Sequence, residues 1–191
     1  MRVPVAVTLM VTVGALVAAA CNDPFAITAS IPNTVDTLDL YAANQSPVIL
    51  PSGYIVALRA RTRPGVDAPV YNFDFVYRLD PVQGPQLVPF GALARGDSVA
   101  GRPGLLATTV PFDSISLALQ TGYETSQPVN IAVGSTLYVR SAVPNGCVLS
   151  IPYYAKIQIL SIDETNQSIK FRILVDINCG YRGLTTGVPT S

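Results

Sequence analysis

The chain has no histidine and no tryptophan, and only Lys156 and Lys170 of its twelve basic residues are lysines. Without histidine, every Ser-His or Cys-His catalytic arrangement is excluded, as are histidine-based metal sites. Charge is scarce too: 13% of residues are charged, and the two signs cancel. Without residues 1–20 the formal charge is 11 − 12 = −1, so there is no electrostatic case for nucleic acid. Sixteen prolines and fourteen glycines leave little room for long helices. No internal repeat or low-complexity segment interrupts the 171 residues after position 20 (191 − 20), which suffice for one domain with a real core.

The long uncharged run is at the start. Arg2 supplies one positive charge and residues 3–20 carry none. A short basic start, an apolar stretch and small residues before the cut make a secretory signal. Pro4, Thr8, Thr12 and Gly14 weaken the stretch as a spanning helix, although it reaches the minimum length for one. Its end, Val17-Ala18-Ala19-Ala20-Cys21, resembles the lipobox of bacterial lipoproteins. That resemblance implies cleavage before Cys21, diacylation of the Cys21 thiol and acylation of the new amino group. It places the chain at the bacterial cell envelope, lipid-anchored and facing the periplasm or the outer membrane. Asn22 after the cysteine points to the outer membrane in the enterobacterial sorting scheme. The family prefers Leu where this chain has Ala18, and Ala18 with Ala20 equally suits an ordinary signal peptidase that leaves a free thiol. Two or three acyl chains give durable attachment, at roughly 0.8 kcal/mol per buried CH₂.

With Cys21 assigned to the anchor, Cys147 and Cys179 remain. Outside the cytoplasm such a pair is expected to oxidise. The separation is 179 − 147 = 32 positions, and closing that loop contributes about 3–4 kcal/mol on the chain-entropy model. The rival metal site falls short, since two cysteines without histidine do not reach four zinc ligands. No metal or cofactor is expected.

The rest reads as strands with Pro/Gly punctuation. Ile169, Phe171, Ile173, Val175 and Ile177 alternate with Lys170, Arg172, Leu174 and Asp176. Ala155–Ile162 is also β-rich but changes phase, which predicts a bulge near Leu160 or burial of both faces. The polar residues 163–167 join these two segments into a hairpin. Tyr71, Phe73, Phe75, Tyr77 and Leu79 alternate on one strand, and Tyr54, Val56, Leu58 and Ala60 on an earlier one. Weaker strands are expected near Val35–Tyr41, Leu105–Pro111, Ser114–Leu119, Pro128–Val133 and Thr136–Ala142. Residues 80–104, with four prolines and five glycines, read as irregular loops. The expected architecture is all-β: a single antiparallel sandwich, immunoglobulin-like or similar, with one disulfide and a cleaved signal peptide. Residues 1–20 are the signal, 21–32 a lipid-anchored tether and 33–191 the sandwich domain.

Cys21 with Asp23-Pro24-Phe25, then Ala155-Lys156-Ile157, a hairpin, Asn178-Cys179-Gly180-Tyr181-Arg182 and Gly187-Val188-Pro189 follow in that order. The arrangement resembles a group of small, uncharacterised bacterial envelope lipoproteins. It implies a lipid-anchored β-domain and a matching cysteine pair, and brings no activity with it.

Other features have plain readings. Arg59, Arg61 and Arg63 alternate with the apolar set and project from one face, ready for an anion or an acidic partner, or for local partners such as Asp74. Asp36 with Asp39, Asp74 with Asp80, and Asp163 with Glu164 have no spacing that specifies hydrolase chemistry. Arg95-Gly96-Asp97-Ser98 matches an adhesion tripeptide but also suits a turn. Tyr54, Tyr71 and Tyr77 read as core packing with satisfied hydroxyls rather than a sugar platform. Two Asn-Gln-Ser glycosylation patterns carry no weight in a bacterial lipoprotein. The expectation is therefore not an enzyme. It is an envelope protein held to the membrane by N-terminal acyl chains, with a structural or protein-interaction role, such as an accessory subunit of a membrane-associated complex. The alternative is a glycan- or envelope-polymer-binding module, with a carboxylate-dependent hydrolase third.

Overall fold

The structure is a computed structural model that describes residues 27–67, 73–93 and 102–190. The expected signal at 1–20, Cys21, Val70, Tyr71 and Arg95-Gly96-Asp97-Ser98 lie outside the described residues. Ten strands are described: β1 Val35–Tyr41, β2 Gly53–Ile55, β3 Ala60–Thr62, β4 Phe75–Asp80, β5 Gly84–Pro89, β6 Gly104–Thr108, β7 Val129–Asn130, β8 Thr136–Arg140, β9 Tyr154–Asp163 and β10 Ser168–Asp176. They form two antiparallel five-stranded sheets, ordered β1-β10-β9-β8-β6 and β3-β2-β4-β5-β7. The chain is an all-β sandwich with one disulfide, five strands on five rather than the four on three of an immunoglobulin constant domain.

The alternation in β10 sets the core. Ile169, Phe171, Ile173 and Val175 are buried between the sheets with Ala155, Ile157 and Ile159 of β9, Leu137 and Val139 of β8, and Tyr54, Phe75, Tyr77 and Leu87 opposite. Tyr54 stacks on Phe75 with ring centres 5.7 Å apart, and Phe171 meets Tyr54 edge-on at 6.1 Å. These rings from β2, β4 and β10 key one sheet to the other. The expected bulge is there: Lys170 pairs with Ser161 and Phe171 with Ile159, so Leu160 is the extra residue. It turns outward, while Ile157 and Ile162 keep to the core side.

Three expectations are corrected. Residues 54–60 are not one strand. Val56–Leu58 form a 3₁₀ turn closed by Arg59 in the left-handed region (φ 50°), so β2 and β3 make a tight hairpin and Leu58 points out. Residues 80–104 are not all loop, because Gly84–Pro89 pairs with β4 along its whole length. The Pro85 carbonyl accepts from Ile131 N–H, so this residue faces β7, as does Pro89 four positions on. The β4–β5 ladder therefore loses no donor to either proline. Ser114–Leu119 is not a strand. It is part of an irregular layer over the outer face of the first sheet, with Phe112, Ile115, Ala118 and Leu184 packed on Tyr138, Tyr154 and Leu174. Lys156 fastens that layer: its buried ammonium donates to the carbonyls of Phe112 and Ile115, both at 2.8 Å. Burial holds its pKa below the usual lysine value, with the Asp113 charge opposing.

Tyr54 and Tyr77 are fully buried as expected, but their hydroxyls have no partner, since both rings point into an apolar interior.

Candidate functional site

Chain direction brings residues 27–34 before β1, the 56–59 turn, 141–153 between β8 and β9, and 177–187 after β10 to one end of the sandwich, the end at which β5 also stops and β6 begins. They are joined by covalent and polar links. Cys147 bonds Cys179 with their Cα atoms 5.2 Å apart, loop to loop. β10 stops at Asp176, so Cys179 lies just past the strand end.

Beneath these loops lie two buried carboxylates, Asp74 and Asp176. Asp74 sits at the bend where the chain enters β4, 4% exposed. One oxygen accepts from Val56 N–H at 2.7 Å and the other from Ala142 N–H at 2.8 Å. Burial pushes its pKa up to about 6, against the two N–H bonds that favour the anion. Asp74 thereby ties the 3₁₀ turn of one sheet to the loop leaving the other. Above it opens a cleft of about 410 Å³ lined by Ile55, Leu58, Ala142, Pro144 and Tyr153.

Asp176 is the second. It accepts from Asn178 through both the backbone N–H (2.9 Å) and the side-chain amide (2.8 Å), and burial raises its pKa against those bonds. Asn178 then grips the incoming chain. Its Oδ1 accepts from Ser30 and Ile31 N–H, and its Nδ2 donates to the Ile31 carbonyl. Tyr181 Oη donates to the Ile27 carbonyl at 3.0 Å, and Asn33 pairs with Gly187 while its amide reaches Gly183 O. The described part of the expected tether is thus strapped onto the domain, and residues of the Asn178–Arg182 motif do much of the strapping.

The three arginines do not share an open face. Arg59 is half-buried and donates to Pro32 O and, at 2.9 Å, to Val175 O, so it braces the strap against β10. Arg61, exposed on β3, reaches Asp39 O at 3.3 Å. Arg63 lies past β3 and pairs with Asp67, not Asp74. Four further carboxylates have separate partners. Asp39 faces Lys170, Asp113 binds Arg172 at 2.9 Å, and Asp80 and Glu124 each accept backbone N–H groups of their own turns. Among the described residues no cluster of three or more His, Cys, Asp or Glu is placed to hold a metal, and no tyrosine is exposed. No helix among them is long and apolar enough to cross a membrane.

Asp74 escaped the sequence reading because it falls on the polar phase of an alternating segment. The only hint was position, between Phe73 and Phe75. Nothing in the Asn178–Arg182 motif by itself signals the role of Asn178, whose partners lie about 150 positions away. Compared with family models, curated proteins and solved structures, the chain matches none.

Proposed function

We propose that this chain is a lipid-anchored protein of the bacterial cell envelope, with a structural or protein-interaction role rather than a catalytic one. The observation that carries the reading is the strap. Six positions after the lipobox-like Cys21 the chain is gripped at Ile27 by Tyr181, and then at Ser30 and Ile31 by Asn178 beside the disulfide, so tension on an anchor at Cys21 passes straight into the fold. The disulfide suits an oxidising compartment beyond the cytoplasm. The buried carboxylates hold backbone N–H groups, and Arg59 holds carbonyls, which favours a structural site over a reactive one. A glycan module needs exposed rings for stacking, and the described tyrosines are buried or half-buried.

Mass spectrometry of protein extracted from native membranes tests the anchor. The expected N-terminal peptide begins at Cys21 and carries acyl chains, and Cys21→Ala releases a folded protein. A soluble product with a free Cys21 thiol overturns the reading. Affinity purification from the same solubilised membranes is expected to retain a protein partner.

A further inference from the structure

The four loops at the end that receives the strap carry little charge. Residues 27–34, 56–59, 141–153 and 177–187 contain no Asp or Glu, and Arg59 and Arg182 are their only charged side chains. Asp80, Asp163 and Glu164 lie in the turns of the opposite end, which also exposes Val48, Ile49, Val82 and Val133, so the two ends differ in charge and not in apolar exposure. The same four loops present apolar side chains to solvent. Val148 is 82% exposed, Leu58 65% and Leu149 50%, with Ile27 and Ile31 also exposed. They belong to one surface: Leu58 shares the cleft with Pro144 and Gly146, Leu149 lies against Gly180, and Cys147 ties their loops together. An apolar cluster of this kind on a folded domain marks an interaction surface.

Chain connectivity identifies the occupant. From Cys21 to Ile27 is 27 − 21 = 6 positions, at most about 20 Å when fully extended. Nine-residue β10 spans about 30 Å, so the opposite end stands beyond that leash. We infer that the end bearing Leu58, Val148 and Leu149 faces the bilayer and seats these side chains in its interfacial zone, giving the domain a fixed, end-on orientation. The inference rests on the proposed lipid anchor. Side chains of interfacial elements enter the headgroup–acyl boundary to a depth of about 5–10 Å, which a loop tip of Val148 and Leu149 can reach. The absence of carboxylates from these four loops suits a surface of lipid phosphates.

The chain has no tryptophan, so one introduced indole reports its surroundings without background. Val148→Trp and, as a control, Val48→Trp, 78% exposed in the loop after β1, are placed in the full chain. Each is purified from membranes and reconstituted in vesicles of phosphatidylethanolamine and phosphatidylglycerol, with and without bromine near the carbonyl end of the acyl chains. Both variants are expected to float with the vesicles. Emission from position 148 is expected to shift to shorter wavelength and lose most of its intensity to bromine, while position 48 keeps the spectrum of an indole in water. Flotation with a water-like, unquenched signal at 148 overturns the inference and leaves the anchor standing. Quenching at both positions means a domain lying flat and overturns it as well. A shifted but unquenched signal at 148 means that a second copy or another protein covers the patch, which also refutes it. Failure to float overturns the anchor, and the inference with it.

Discussion

Asp74 makes the stability of this protein depend on pH in a direction opposite to that of most carboxylates. Its pKa is pushed from an ordinary 3.8 to about 6 by burial, without a basic side chain against either oxygen. The native state therefore holds the proton more tightly than the unfolded chain. Between those two values the folded form binds more protons, so stability falls as pH rises and is fully restored below about pH 4. At ~1.4 kcal/mol per pH unit, a gap of about two units amounts to about 3 kcal/mol. The absence of histidine removes imidazole titration from the upper part of this range, and the ordinary carboxylates, common to both proteins, cancel in the difference. Asp176, also raised by burial, is the main companion. The perturbation that isolates the effect is Asp74→Asn. The amide keeps the shape but can accept only one of the two N–H groups, and turns an NH₂ on the other, at a pH-independent cost of about 1–3 kcal/mol. Urea unfolding followed by circular dichroism, for both proteins from pH 3.5 to 7.5, gives the difference directly. The variant is expected to be the weaker at low pH, and its deficit is expected to shrink by about 3 kcal/mol across the window. With a urea slope of about 2 kcal/mol/M, the relative midpoint moves by ~1.5 M. A flat difference, or a deficit that grows with pH, refutes the reasoning, because it means that the two N–H bonds outweigh desolvation.

The other predictions are simpler. Replacing Cys147 and Cys179 by Ser is expected to cost about 3–4 kcal/mol by the loop-entropy relation, lowering Tm by roughly 10 °C in a chain of this size, as read by calorimetry. Lys156→Met leaves the carbonyls of Phe112 and Ile115 without their donor and is expected to destabilise by about 1–3 kcal/mol, with hydrogen exchange rising first in residues 109–119. Tyr54→Phe and Tyr77→Phe remove hydroxyls that have no partner and are expected to be neutral or to stabilise by up to about 1 kcal/mol, which urea midpoints will measure.

What was legible in the sequence follows the physics of each element. The β9–β10 hairpin declared itself, including the bulge at Leu160, because a period-two pattern on a two-sided sheet fixes which face each residue takes. The disulfide followed from compartment and count. The 56–59 turn was not legible, since Val-Ala-Leu-Arg contains none of the usual turn residues. Its stabilisation comes from a distance: Asp74 takes the Val56 N–H, and Pro32 and Val175 carbonyls hold the Arg59 guanidinium. β5 was hidden by prolines that spoil only the side facing a two-residue strand. The arginine face looked open because alternation was extended through a turn that resets it. The strap on Asn178 depends on contacts across about 150 positions, and no local pattern encodes those.

The strand order has a consequence for how the chain comes to fold. β1 is the first strand to be made and its sole ladder partner, β10, is the last; Val35 waits for Leu174. A ribosome or an export channel releases nearly the whole domain before that ladder can close, so the first sheet cannot finish until synthesis is almost complete. Pairings this distant in sequence also fold slowly. Throughout the delay β1 is a bare edge, the kind of segment that recruits neighbouring chains. Its sequence, Val-Asp-Thr-Leu-Asp-Leu-Tyr, sets Asp36 and Asp39 among the apolar residues, and charges so placed keep an unpaired strand from joining another copy. Those two aspartates, inconspicuous in the finished fold, act during the interval before it exists.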